Sequence, residues 1–579
     1  MTIITPRDAE FLPGSLIAEI NGIKAEVPAR FSPHSSTGLE YTFSAIFQEA
    51  EMFAAVFARR LVLASVVLFA VCLSAAEMPR LVKKDGRYAF FVDGQPYLIL
   101  GAQINNSSSW PAVLPEVWPA IEAMHANTVE APVYWEQIEP QRDRFDFANV
   151  DELVKQARMH HVYLVLLWFG TWKNGRMHYA PEWVKIDPVQ YPRVINDRGE
   201  RLDVLSPNSD ANLEADKEAF AALMQHLKQI DGDEHTVIMM QVENESGTLG
   251  SVRDFSPAAE KMFQSQVPSN LAQSLHRHPG TWKDVFGADA DETFAAYSVA
   301  RYINQVAVAG KAEYPLPMYV NNWLKYKPDA VPGMSYPSGG PTYNMLDVWK
   351  ATAPAIDMIG PDIYNDDADF YREVVGQFHR PDNPTWIPET GIEDSYAKFF
   401  FYALGQGAIG FSPFGVDYTG WTIKDRKPPA LHAENYALIA PMDREIARLN
   451  FEGKLKTAIE DDNTPRTSID MGKWHAVVSF GLPQWGMENS KAPGTKDHHG
   501  RALVAQLSSD EFLVTGIDAR VQFELASKES GHTQILRAEE GHYENGDWKF
   551  LRLWNGDETD YGLNFTHQDQ VVHVKLGTY

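Results

Sequence analysis

Short apolar runs of strand length alternate with amphipathic stretches through the middle of the chain. Eight apolar runs lie at residues 98–101, 128–133, 162–167, 236–241, 318–321, 358–363, 385–388 and 408–412. Apolar residues recur at helical spacing between several of these runs, at residues 115–124, 150–160, 212–229 and 293–312. Alternation of strands and helices over roughly 340 residues predicts an α/β fold, a (β/α)8 or TIM barrel rather than an open doubly wound sheet.

The pattern changes near residue 455, where apolar and polar residues alternate with period two and no helical stretch intervenes. The alternating segments are 475–480, 502–507, 512–515, 520–525 and 549–554. Before this change, residues 434–450 have the pattern of one closing helix, and residues 85–103 have that of a hairpin around Asp93-Gly94. The sequence therefore predicts a (β/α)8 catalytic domain at 77–452 and a β-rich, sandwich-like domain at 453–579.

The most apolar run of the chain lies closer to its N-terminal end. Residues 61–73 read LVLASVVLFAVCL; they follow Arg59-Arg60 and precede Ser74-Ala75-Ala76. These features are typical of a signal peptide, here 52–76, whereas a membrane span needs about 20 apolar residues. We expect a secreted or periplasmic bacterial protein with no membrane span in its mature form; a buried core helix is the alternative. Residues 1–51 are then a mis-assigned translation start or a disordered extension.

Composition narrows the classes of function. The formal net charge of −26 argues against a nucleic-acid partner, since phosphate binding needs clustered Lys and Arg. The single cysteine, Cys72, lies within the predicted signal peptide, so the mature chain would have neither a disulfide nor a thiol. No G-x-G-x-x-G follows a predicted strand, and the pairs His160-His161 and His498-His499 lack the spacing of metal ligands. We predict no cofactor and no metal, and the sequence leaves the oligomeric state open.

Polar side chains follow the predicted strands at the point where each strand ends. In TIM barrels the C-terminal strand ends form the active-site face. Glu243 and Glu245 follow the fourth run, in MMQVENESG, and on a regular strand these two residues share a face. Glu389 follows the seventh run, in WIPETG. Two strand ends across the barrel mouth can bring such distant glutamates together.

A pair of carboxyl groups in this position has a specific chemical use. Hydrolysis of a glycosidic bond with retention requires two carboxyl groups about 5–5.5 Å apart. One protonates the leaving oxygen and later activates water, and the other attacks the anomeric carbon. Glu245 and Glu389 therefore predict a retaining glycoside hydrolase with a carbohydrate substrate.

Three segments together resemble a known enzyme family. QVENE (241–245) and WIPETG (386–391) resemble glycoside hydrolase family 35, the β-galactosidases. YWEQIEPQRDRFDF (134–147) resembles a stretch common to families 35 and 42. The resemblance extends from about residue 85 to residue 450, and the β-rich region resembles the C-terminal domain of bacterial family 35 members.

The resemblance implies both an activity and a set of residue roles. It implies an exo-acting β-galactosidase by double displacement, with Glu245 as general acid/base and Glu389 as nucleophile. It also implies that Asn244 binds the 2-hydroxyl of the galactosyl unit and that Tyr364 orients the nucleophile. Galactosyl side chains of plant xyloglucan are a substrate class that it suggests.

Two segments depart from the pattern of better-known family 35 members. GAQINNSSS (101–109) stands in place of Gly-x-x-His-Tyr after strand one, and LLWFGTW (166–172) in place of an Ala-Glu-Trp after strand three. The sequence therefore supports the chemistry better than the identity of the sugar. The alternatives are a family 42-like β-galactosidase, a galactanase, an arabinosidase or an inactive carbohydrate-binding barrel.

Four further residues are candidates for contact with the substrate. Trp323 and Trp168 have the apolar faces that stack on sugar rings, although both equally suit a protein core. The segments that differ from the family 35 pattern lack residues that bind the sugar there. Asn105 could supply the missing hydrogen bonds, or it could be a turn residue. Glu136 resembles a family position that supports the site, and a surface salt bridge is its alternative.

Overall fold

A computed structural model describes residues 76–579 of the chain and the backbone of two earlier strands. Within 76–579 the description omits residues 421, 424, 462–464, 482, 485–486, 492–497, 527–530 and 545. The earlier strands, Ser15–Ile20 and Ile23–Pro28, pair antiparallel within a separate compact unit. The predicted signal peptide at 52–76 lies outside the described residues except for Ala76.

Eight parallel strands form a closed barrel, as predicted. They are β1 (Ile99–Gln103), β2 (Thr128–Tyr134), β3 (Tyr163–Lys173), β4 (Val237–Asn244), β5 (Met318–Trp323), β6 (Met358–Ile363), β7 (Ile387–Thr390) and β8 (Gly410–Pro413). β8 pairs with β1 and closes the circle. Every residue of β2 and of β6 is buried, because helices cover the outside of the barrel and side chains fill its interior.

One principal helix follows each strand. These helices are α1 (Leu114–Met124), α2 (Ala148–Met159), α3 (Asp210–Asp231), α4 (Ala290–Glu313), α5 (Leu346–Thr352), α6 (Ala368–Phe378), α7 (Asp394–Gly405) and α8 (Ala430–Ile439). Ser209 caps the N-terminus of α3, where its side chain accepts a hydrogen bond from the backbone N–H of Asn212. Shorter helices lie at Trp135–Ile138, Glu182–Lys185, Pro257–Phe263, Ser269–Ser274 and Trp282–Phe286.

The closing helix predicted at 434–450 is two helices. α8 ends at Ile439, a 3-10 turn spans Ala440–Met442, and a second helix runs from Asp443 to Phe451. The break falls at Pro441, because proline has no backbone N–H to donate and its ring collides with the preceding turn.

A small antiparallel sheet covers the N-terminal ends of the barrel strands. Its strands are Arg80–Lys84, Arg87–Val92 and Gln95–Tyr97. The predicted hairpin turn is confirmed, with positive φ at Asp93 (54°) and Gly94 (74°). Phe90 and Val92 pack against interior residues of the barrel strands, among them Val165 and Ile238. Side chains therefore fill the barrel at the N-terminal ends of its strands, and a ligand site is expected at the C-terminal ends.

The C-terminal region consists of two packed antiparallel sheets, as predicted. One contains the strands Leu455–Ile459, Arg501–Gln506, Glu511–Ile517, Val571–Thr578, Thr533–Glu544 and Asp547–Leu553. The other contains Arg466–Met471, Trp474–Ser479, Ala519–Leu525 and Leu563–Phe565. A separate apolar core fills this region. Arg501 joins it to the barrel through a buried ion pair with Glu434 of α8 (3.0 Å). Within the described residues, no helix combines the length and apolar character that a membrane crossing requires.

Candidate active site

A cavity of about 1150 Å³ opens at the C-terminal ends of the barrel strands. Glu245, Asp362 and Glu389 all line it. Glu245 directly follows β4, Asp362 lies in β6 and Glu389 lies in β7. Amide and hydroxyl side chains from the loop after β1 form one wall, and Trp323 and Tyr364 line the cavity as well. The structure therefore brings both predicted glutamates together, with a third carboxyl group between their strands.

The end of β4 is bulged, which decides where its two glutamates point. Glu243 (φ 66°) and Glu245 (φ 42°) both have left-handed backbone conformations, and the register with β3 shifts between Val242 and Asn244. Such conformations cost roughly 1–2 kcal/mol in a residue other than glycine, so the surroundings must hold them. The Glu245 backbone N–H donates to Asn321 Oδ1 (2.8 Å), which fixes this turn of the chain.

The bulge corrects the expectation that Glu243 and Glu245 share a face. Glu245 lines the cavity, whereas Glu243 is buried beside β3 and accepts a hydrogen bond from the Trp172 backbone N–H (2.7 Å). Burial, followed by the nearby Asp216 carboxylate, raises the pKa of Glu243 well above its usual value. Glu243 therefore supports the strand end and Glu245 is the group available to a substrate.

Two hydrogen-bond donors hold the Glu389 carboxylate. Gln103 Nε2 donates to Oε2 (2.8 Å), and the Tyr364 hydroxyl donates to Oε1 (2.6 Å). Donors in this position stabilise the negative charge of an ionised carboxylate. Burial, with the neighbouring Glu389, raises the pKa of Tyr364, so its hydroxyl keeps its proton and remains a donor. The structure thus gives Tyr364 the contact that its predicted role requires, and it adds Gln103, which sequence reasoning missed.

Glu245 has a different electrostatic environment from Glu389. One carboxylate oxygen each from Glu245, Asp362 and Glu389 lies within 4.8 Å of those of the other two. Burial, followed by the nearby Glu389 charge, raises the pKa of Glu245 to about 7. Lys173 also lines the cavity, and its positive charge lowers the pKa of Glu245 and so offsets part of this rise. Near neutral pH Glu245 can therefore carry a proton while it lies beside Glu389.

Several amide side chains on the cavity wall have oxygen atoms that accept no hydrogen bond from the described residues. Asn105 donates from its backbone N–H and from Nδ2 to the Asp417 carboxylate (2.6 and 3.1 Å), which fixes the orientation of its amide. Its Oδ1 is buried and has no hydrogen-bond partner among the described residues. The same holds for Oδ1 of Asn106 and Oδ1 of Asn174, which line the cavity too. Buried polar atoms are rarely left unpaired, so these positions suit the hydroxyl groups of a ligand.

Asn244 lies beside the cavity and is fully buried. Its Oδ1 accepts a hydrogen bond from Lys173 Nζ (2.8 Å), and its Nδ2 has no partner among the described residues. The free donor is compatible with the predicted contact to a sugar hydroxyl, which stays a prediction. Neither Lys173 nor Asp362 was assigned a role in the site from the sequence.

Two predicted contact residues lie away from the cavity. Trp168 is fully buried; its Nε1 donates to Asp216 Oδ1 (2.9 Å), and its ring packs against Phe220 of α3. These contacts show that Trp168 faces outward, toward α3. β3 continues beyond it to Lys173, so Trp168 does not lie at the strand end. Glu136 is on the surface, in an ion pair with Lys185 (3.1 Å). Trp168 is therefore a core residue and Glu136 forms a surface salt bridge, which were the alternatives to substrate contact for these two residues.

The three clustered carboxyl groups also have the composition of a cation site. Oxygen atoms of Glu245, Asp362 and Glu389 are close enough for one ion to contact all three. However, both Glu389 oxygens already accept hydrogen bonds, and the positive charge of Lys173 lies near the cluster. A shared proton fits these surroundings better than a metal ion does.

Comparison with known proteins gives two family matches. Residues 108–296 match the model of glycoside hydrolase family 42, described as beta-galactosidase, and residues 432–566 match a domain of unknown function, DUF5597. A beta-galactosidase from Xanthomonas manihotis is 29% identical over 163 residues, which are 28% of this chain and 25% of that protein. The chain thus spans about a quarter of the length of this curated relative.

Solved structures of beta-galactosidases are also similar to the chain. That from Bacillus circulans sp. alkalophilus has a TM-score of 0.45 at 15% identity, covering 60% of this chain and 57% of the other. That from Marinomonas ef1 has a TM-score of 0.45 at 12% identity, covering 61% of each chain. The family and curated matches agree with the predicted enzyme class, glycoside hydrolase. They indicate family 42 and do not support the narrower resemblance to family 35.

Proposed function

We propose that this chain is a retaining, exo-acting glycoside hydrolase that removes terminal β-galactosyl residues from carbohydrate chains. Glu389 is the nucleophile and Glu245 is the general acid/base. The observation that carries the proposal is the pairing of two buried carboxyl groups in unlike environments at the mouth of the barrel. Glu389 accepts two hydrogen bonds, whereas burial and the nearby Glu389 raise the pKa of Glu245 to about 7.

The first step forms a glycosyl–enzyme ester. An Oε atom of Glu389 attacks the anomeric carbon, and the bond from that carbon to the leaving oxygen breaks. The proton of Glu245 passes to the leaving oxygen, so the leaving group departs as an alcohol. The esterified Glu389 is then neutral, which removes the repulsion that opposes ionisation of Glu245.

The second step returns the enzyme to its starting state. A water molecule attacks the anomeric carbon and gives one proton to Glu245 while the ester bond to Glu389 breaks. Glu389 regains its negative charge and Glu245 its proton. Two displacements at the same carbon leave the anomeric configuration unchanged, which is the meaning of retention.

The wall of the cavity supports a neutral sugar as the bound group. The free Oδ1 atoms of Asn105, Asn106 and Asn174 accept hydrogen bonds from hydroxyl groups and would repel a carboxylate. The similarity of residues 108–296 to beta-galactosidases favours galactose among neutral sugars. A galactanase or an arabinosidase is the alternative. An inactive binding barrel is disfavoured because both glutamates are present and paired.

A panel of substrates tests the proposed function. We expect hydrolysis of an aryl β-galactoside at a rate well above that of the matching aryl α-arabinoside and aryl β-glucoside. Proton NMR should find the β-anomer of galactose as the first product, because the mechanism retains configuration. Xyloglucan oligosaccharides in the same panel test the predicted plant substrate. A first-formed α-anomer, or no hydrolysis of any glycoside, would contradict the proposal.

The pH dependence of the parent enzyme follows from the proton on Glu245. The first step needs Glu245 protonated, so kcat/KM should fall about tenfold per pH unit above a pH of about 7, where this group ionises. The measurement is kcat/KM for an aryl β-galactoside whose leaving group needs protonation, between pH 5 and pH 9. A rate that stays constant up to pH 9 would show that another group is the acid.

A further inference from the structure

Asp362 is a third buried carboxyl group in the site, and the proposed chemistry gives it no task. It lies near the end of β6 with 1% of its surface exposed. Asn321 Nδ2 donates to its Oδ2 (2.8 Å), and its Oδ1 has no donor among the described residues. One oxygen of Asp362 lies within 4.8 Å of an oxygen of Glu245 and of an oxygen of Glu389.

Buried carboxyl groups as close as Asp362 and Glu245 favour a proton shared between them. Ionised carboxylates only accept hydrogen bonds, so two of them in buried contact would repel each other and leave an acceptor unpaired. Among the described residues, Glu389 accepts hydrogen bonds from two donors, whereas Asp362 accepts one, from Asn321. The proton therefore belongs on the pair formed by Asp362 and Glu245.

The groups that face Asp362 favour its neutral form. The carboxylates of Glu389 and Glu245 face it from β7 and from the end of β4, and Lys173 faces it from β3. Burial, followed by those two carboxylates, raises the pKa of Asp362 well above its usual value, and Lys173 offsets part of the rise. The nearby hydroxyl groups belong to Tyr319, Tyr326 and Tyr364, and burial raises the pKa of each.

We propose that Asp362 is a positioning residue that stays protonated and donates a hydrogen bond to Glu245 whenever Glu245 is ionised. This inference rests on the proposed role of Glu245 as acid/base. This hydrogen bond stabilises the charged form of Glu245 and therefore lowers its pKa. Burial and the charge of Glu389 raise the same pKa, so the bond offsets part of that rise. Asp362 thus sets the pH range in which Glu245 serves both as acid and as base.

Two substitutions distinguish a protonated Asp362 from an ionised one. Asp362→Ala removes the donor, and we expect the alkaline limb of kcat/KM to move to higher pH by about one unit. Asp362→Asn keeps an N–H donor, and the limb should stay close to that of the parent. An ionised Asp362 predicts the opposite sign, because either substitution would remove a negative charge near Glu245 and move the limb to lower pH. A shift to lower pH in either variant, or an unchanged limb in Asp362→Ala, overturns the inference.

A second measurement does not depend on activity. The infrared difference spectrum of the parent minus Asp362→Asn should contain the C=O band of a protonated carboxyl group at pH 7; carboxylate bands alone would overturn the inference. Asp369→Asn is the matched control, since its side chain is 88% exposed on α6, and it should change neither the spectrum in this band nor the pH limb. A parent that hydrolyses no glycoside would refute the proposed function and leave the infrared result to decide on the proton.

Discussion

Glu389→Gln is expected to abolish turnover, with a loss in kcat of about 10⁴-fold or more. The amide has nearly the shape of the carboxylate but is a poor nucleophile, so the glycosyl–enzyme ester cannot form. The negative charge is also lost, and the new amide nitrogen, Nε2, would face a donor already present, either Gln103 Nε2 or the Tyr364 hydroxyl. The measurement is steady-state hydrolysis of an aryl β-galactoside by purified parent and variant.

Trapping of the ester separates a lost nucleophile from a misfolded site. A slow, fluorinated galactosyl substrate should add one sugar mass to the parent protein, on the peptide that contains Glu389, and none to Glu389→Gln. Glu373→Gln, an exposed position on α6, is the matched control and should keep the activity of the parent. Activity of Glu389→Gln comparable to that of the parent would remove Glu389 from the mechanism.

The barrel could be predicted from sequence because its strands are buried on both faces. Such strands are continuous apolar runs, and the run at 358–363 has the same bounds as β6 (Met358–Ile363). The helices between them bury one face only, so their period is visible as well. The closing helix was predicted as one element because its apolar spacing continues across Pro441, although the proline ring cannot continue the backbone.

The error at Trp168 came from the length of β3. The apolar run was taken to end at residue 167, which would put Trp168 at the barrel mouth. β3 continues to Lys173, so Trp168 lies within the strand and packs against α3, while Lys173 reaches the cavity. Aromatic residues fit a strand and a sugar-binding surface equally well, so composition alone could not locate the end of this strand.

The partners of the two glutamates were harder to predict than the glutamates themselves. Glu245 and Glu389 follow strands that the chemistry requires, but Gln103 and Asp362 matter because of distances across the barrel, which one sequence does not contain. One signal was present for Asp362: it is a charged residue inside an otherwise apolar, buried run. A buried carboxyl group at a strand end needs a partner or a proton, and that rule alone would have placed it in the site.

Glu245→Ala is expected to give losses that depend on the leaving group. A poor leaving group needs the proton of Glu245, so its kcat/KM should fall by about 10²–10⁴-fold. An activated aryl galactoside departs without protonation, so the first step should remain fast. Its kcat should still fall, because no base activates water in the second step and the glycosyl–enzyme accumulates. The alkaline limb near pH 7 should disappear with the group that causes it.

Added azide provides the decisive measurement for this variant. Azide is a nucleophile that needs no general base, and replacement by alanine opens space where the Glu245 carboxyl group lies against the cavity. We expect azide to raise kcat of Glu245→Ala on the activated substrate and to give β-galactosyl azide, with no effect on the parent. Equal losses for good and poor leaving groups, without azide rescue, would show that Glu245 supports the fold of the site and does not transfer the proton.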